Sequence, residues 1–72
     1  MEKHYFTFGQ VHVHSVNGIT WDKDCVCCIE ATDSDAARQI MFETFGNKWA
    51  MQYGISNLHL EHYPRGIINL QR

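Results

Sequence analysis

The chain has 72 residues, 44% of them hydrophobic and 19% charged, with a formal net charge of −2 at neutral pH. A chain this short holds one domain that buries roughly 60% of the surface exposed when unfolded, and its apolar share excludes an intrinsically disordered chain or a coiled coil. Its cations are scattered at Lys3, Lys23, Arg38, Lys48, Arg65 and Arg72, without the basic stripe of a general DNA-binding protein, which argues against nucleic acid as the partner.

Met1–His4 leads straight into a strand with no signal-peptide core, and no later segment reaches membrane-spanning length. Those features predict a cytoplasmic protein with no membrane partner. Asn17-Gly18 then sits between two flanks of equal length and strand character, 4–16 and 19–31. The pattern predicts one long β-hairpin closed by a type I′ turn, where both central residues take positive φ. Its register places Val16 opposite Ile19, His14 opposite Trp21, His12 opposite Lys23, Phe8 opposite Cys27 and Phe6 opposite Ile29. Gly9 breaks the two-residue alternation of Tyr5, Phe6, Thr7 and Phe8, so a bend or bulge is expected at Gly9-Gln10. On the return strand Cys25, Cys27 and Ile29 share one face and Val26 and Cys28 the other, a near-continuous apolar run that predicts cover on both sides.

Thr32 or Asp33 is positioned to cap a helix, acidic residues follow in its first turn, and Gly46 supplies the stop. Ala37, Ile40, Met41, Thr44 and Phe45 make a stripe at helical spacing that packs on the sheet, while Phe42 falls off that stripe beside Arg38. Trp49 through Tyr53 alternates large and small side chains and reads as a third strand, antiparallel to the first and beside it. Leu58–Tyr63 reads as a strand or a short helix, Pro64-Arg65-Gly66 as a turn, and Ile67–Leu70 as a last strand. The sum is an α+β domain over residues 1–72: a small, mostly antiparallel sheet with one helix on one face, in the order β-β-α-β followed by one or two short strands.

Several residue groups carry potential chemistry. His12 and His14, two apart on a strand, point the same way, and Cys25 lies diagonally across the hairpin; with a third ligand, His59 or His62 among the candidates, they could hold a metal ion. No Cys-x-x-Cys pair, His-Glu-x-x-His helix or calcium loop accompanies them, and two polar residues on an exposed arm is the plainer reading, so no cofactor is predicted. A thiolate nucleophile needs an accessible, electropositive setting, whereas Cys25-Val26-Cys27-Cys28 is apolar with only Lys23 nearby, which predicts small buried side chains and no enzyme. Three clustered cysteines cannot staple distant parts of the fold. Asp22, Asp24 and Glu30 form a carboxylate row that solvation explains. Tyr5, Phe6, Phe8, Trp21, Trp49 and Tyr53 could form a base-stacking platform, but core aromatics are the simpler assignment.

Three strings occur together: Tyr5-Phe6-Thr7-Phe8-Gly9, the acid-capped helix with Ala37-Arg38 and Met41-Phe42, and Phe45-Gly46-Asn47-Lys48-Trp49-Ala50-Met51-Gln52-Tyr53. Over much of the chain this resembles small uncharacterised bacteriophage and prophage-encoded proteins, many of which open on a Tyr-Phe-Thr-Phe-Gly strand and carry a Phe-Gly-x-Lys-Trp-Ala-x-Gln-Tyr segment. The resemblance brings no catalytic residue or cofactor. It implies a small non-enzymatic protein that occupies a host-protein surface, including defence nucleases of the CRISPR type, in the host cytoplasm. The expected contact residues are His12, His14, Trp21 and Lys23 on the hairpin arm, with Phe42 on the helix flank, since Trp and other exposed aromatics anchor partners. A sheet edge offers a second route, to a partner strand or to a second copy. The alternative is a metal-binding or nucleic-acid-binding module built on the hairpin histidines and strand aromatics.

Overall fold

The computed structural model describes residues 1–16 and 18–70. Six strands and one α-helix follow in the order β1 (Glu2–Thr7), β2 (His14–Val16), β3 (Ile19–Trp21), β4 (Cys25–Ala31), α1 (Ser34–Phe45), β5 (Met51–Tyr53) and β6 (Gly66–Asn69). The main sheet has the order β5-β1-β4-β6, and β2 and β3 form a separate pair. β1 runs antiparallel to both β4 and β5, whereas β6 lies parallel to β4. The result is the expected α+β domain, and its mostly antiparallel sheet is made mixed by the parallel β6.

The hairpin is two ladders joined by a break. At its tip Val16 faces Ile19 and His14 faces Trp21, as expected, and Gly18 holds φ 77° for its half of the turn. Asn17, the other half, lies outside the described residues. At the base the expected pairs are corrected: Phe6 faces Cys27, His4 faces Ile29, and Phe8 lies beyond the end of β1. The outward chain takes seven steps from Thr7 to His14, while the return takes five from Trp21 to Val26. A turn closed by the His12 N–H on the Gly9 carbonyl, at 3.1 Å, takes up the difference where the glycine interrupted the pattern. The offset is even, so each side chain keeps its face although its partner changes.

Helix α1 starts where an aspartate can cap it: Asp33 Oδ1 accepts the Ala36 N–H at 2.8 Å. It ends at Gly46, whose φ of 66° and ψ of −139° turn the chain back while its N–H bonds the Phe42 carbonyl. Ala37, Met41 and Phe45 are its buried stripe, and they pack with Phe6, Cys25, Cys27, Ile29 and Ala31 of the sheet. All of Cys25–Ile29 is buried, so the central strand is covered on both faces. From Tyr53 at one edge the chain reaches Gly66 at the other through two 3-10 turns, Ile55–Asn57 and Leu60–His62. Of the two expectations for Leu58–Tyr63, the short helix is therefore the nearer.

Candidate functional site

The β2–β3 tip folds down onto the core. Trp21 is only 1% exposed, and its indole N–H has no hydrogen-bond partner among the described residues. Its ring, together with those of Phe8 and His14, surrounds Phe45 at centroid distances of 5.0 to 5.7 Å. His14 is half-buried, and its Nε2 donates to the Lys48 carbonyl at 2.8 Å, which fixes the tautomer because a carbonyl only accepts. His12 lies outside β2, in the turn after Gly9, and the expected common face for the two histidines is lost. Lys23 is exposed and pairs with Asp24 at 3.0 Å. The arm thus divides: Trp21 is interior and unavailable to a partner in this conformation, His14 is a latch, and His12 and Lys23 line the rim.

Among the described residues no three His, Cys, Asp or Glu side chains gather tightly enough to hold a metal ion. His12, His14 and Cys25 are not brought together as ligands, and His59 and His62 meet edge to face with ring centroids 6.0 Å apart. The three cysteines are free and buried. Burial pushes the Cys27 thiol up to about 12, helped by Cys25 and Cys28 beside it, and burial raises Cys25 and Cys28 as well. Thiolates are therefore scarce near neutral pH. Two of the three carboxylates have structural partners: Asp22 accepts the Asp24 N–H at 3.0 Å and pairs with Arg65 at 3.3 Å, Asp24 pairs with Lys23, and Glu30 is exposed.

An open groove of about 450 Å³ runs along the flank of α1 beside the edge strand β5, lined by Arg38, Phe42, Trp49, Ala50, Met51 and Gln52. Local folding explains its shape. Gly46 reverses the chain, the Trp49 indole donates to the Gly46 carbonyl at 3.1 Å, and the Trp49 ring sits 5.5 Å from Phe42 and edge-on to Phe6 at 5.2 Å. Ala50 N–H then bonds the Thr7 carbonyl at 2.8 Å and delivers β5 to β1. Gln52 bridges helix and sheet: its Oε1 accepts from Arg38 Nε at 3.0 Å, and its Nε2 donates to His4 Nδ1 at 3.4 Å. Phe42 and Met51 nevertheless remain 50% and 54% exposed.

Phe42 is the one candidate contact residue from the sequence that belongs to this groove. Arg38, Trp49, Met51 and Gln52 carried only a weak signal: a large apolar residue off the helical stripe, followed by a short aromatic strand whose edge position is a property of topology. The fold and the groove define a class, a small α+β domain offering an aromatic cleft beside a strand edge that no other described strand pairs. Comparison with protein-family models, with curated proteins and with solved structures finds no match to this chain. No helix among the described residues is long and apolar enough to cross a membrane.

Proposed function

We propose that this chain is a small non-enzymatic module that binds another protein, and that the groove between α1 and β5 is its contact surface. One observation carries the reading: a large aromatic side chain, Phe42, stands half-exposed over Trp49 in an open groove whose walls are tied together by Trp49 and Gln52. Exposed aromatics backed by packed neighbours are typical binding anchors. With the bacteriophage resemblance, the partner is a host protein met in the cytoplasm, and defence nucleases of the CRISPR type are the first class to examine. The alternative, a metal-binding or nucleic-acid-binding module, draws less support, because Phe6, Phe8 and Trp21 are buried and the histidines do not converge.

The test is affinity capture from bacterial lysate with the tagged chain and with Phe42→Asp, each with and without added nucleases. A host protein retained through nuclease treatment and lost with Phe42→Asp supports the reading. Recovery that depends on nucleic acid, or that is indifferent to Phe42, contradicts it.

A further inference from the structure

We infer that the occupant of the groove is an extended segment of the partner, added as a strand to the free edge of β5 and carrying an acidic residue two positions from a large apolar one. This rests on the groove being a protein-contact surface and specifies what it reads. β5 is the terminal strand of the sheet, with β1 on its inner side and no strand beyond it among the described residues. An added strand lies about 4.8 Å further out, and every second side chain on it points to the helix side of the sheet. That side is where the groove opens: the Arg38–Gln52 bond holds the helix flank against β5.

The spacing on the two sides matches. Arg38 and Phe42 are one helical turn apart, about 6 Å along the axis. Side chains two apart on a strand are separated by about 6.6 Å. A strand laid on β5 therefore meets the guanidinium with one side chain and the Phe42–Trp49 pair with the next on the same face. Charge selects the first of these. Among the described residues Arg38 is the only charged one lining the groove, and no carboxylate lines it. Its Nε is engaged by neutral Gln52, and its nearest acid, Asp35, stands 3.9 Å from Nη1 with its carboxylate open to solvent, so the outer guanidinium nitrogens can take a carboxylate. The same lining disfavours a second copy of this chain as the added strand: its own edge strand, Met51–Tyr53, carries no acid to set against the guanidinium.

The experiment displays random decapeptides against the immobilised full-length chain, with Arg38→Glu and Phe42→Ala in parallel and thermal melts to confirm that all three fold. Selected peptides are expected to carry Asp or Glu two residues from Leu, Ile, Phe or Met, to shift the amide resonances of Met51, Gln52 and Tyr53, and to lose at least about tenfold in affinity on Arg38→Glu. Enrichment of basic residues at that position by Arg38→Glu would strengthen the assignment. Failure to enrich any sequence, selected peptides indifferent to Arg38, or a dimer by sedimentation that Met51→Lys dissociates would overturn it. A lysate protein that still depends on Phe42 while the peptides fail would overturn this inference alone and leave the protein-contact reading standing.

Discussion

His14 and Trp21 face each other across the β2–β3 pair, and both rings close on Phe45, at 5.0 and 5.7 Å. The tip of the hairpin is thereby a clasp over the C-terminal end of α1. Removing the clasp should act on stability first. Trp21→Ala empties a site in the core, a change that costs about 3–5 kcal/mol, against a total stability for small domains that is itself often near 5 kcal/mol. The expected outcome is a marginal fold, with a sharply lowered melting temperature and up to about half of the chain unfolded by circular dichroism at 25 °C. His14→Ala, which loses one hydrogen bond and part of a ring contact, should cost only about 1–2 kcal/mol and stay folded.

Phe42 predicts the opposite pattern. It lies outside the core and packs on Trp49, so Phe42→Ala should lower stability by about 1 kcal/mol or less. The effect is visible in tryptophan fluorescence, because the two indoles differ in environment: Trp21 is sealed and Trp49 is half-buried. Acrylamide should quench one component and spare the other. In Phe42→Ala the accessible component should quench faster and shift to the red, while the protected one is unchanged; equal quenching of both indoles would contradict the assignment of Trp21 to the core.

The cysteines make stability fall at alkaline pH. Cys27 titrates near 9.0 when unfolded and near 12 in the fold, because burial disfavours the thiolate. Between those values the unfolded chain has released a proton that the folded chain keeps, so the unfolding free energy drops as pH rises through this window and is unaffected below it. The full loss is on the order of 4 kcal/mol for Cys27, and Cys25 and Cys28 shift in the same direction. Denaturant midpoints measured at pH 8, 9 and 10 should decline, and Cys27→Ala, whatever its cost at pH 7, should flatten the decline. Native protein should react slowly with a thiol reagent at pH 8 and release all three thiols on unfolding.

Much of the fold was legible because it depends on local chemistry. Asp33 and Gly46 mark the helix ends, alternation marks β1, and the unbroken apolar run of β4 marks a strand buried on both faces. Register was less legible. The pairing of Phe6 depends on how many residues the Gly9–His12 turn absorbs, and a two-residue excess leaves the parity of every side chain, the visible signal, unchanged. The groove was the least legible. Arg38 and Gln52 meet only because β5 takes the outer position beside β1. Trp21 misled for a related reason: tip position in a hairpin suggests exposure, but the turn after Gly9 folds the tip back onto Phe45.

Gly46 joins the helix to the groove, and its backbone yields a chemical test. At φ 66° and ψ −139° it occupies a region that L-residues rarely enter, although nothing lies within 4 Å of where a Cβ would sit. Any penalty for Gly46→Ala is thus backbone strain and not a clash, about 1–3 kcal/mol. The mirror image of this conformation is an ordinary extended one, so D-alanine at the same position, introduced by chemical synthesis, enters without that strain and restricts the unfolded chain. It should raise stability by about 0.4–1 kcal/mol over glycine. The L-alanine protein should also lose part of the Trp49–Phe42 contact, since the reversal at Gly46 places Trp49 beneath Phe42. Melting temperatures in the order D-alanine, glycine, L-alanine are the expected result, and L-alanine equal to glycine would show that the reversal does not depend on the left-handed backbone.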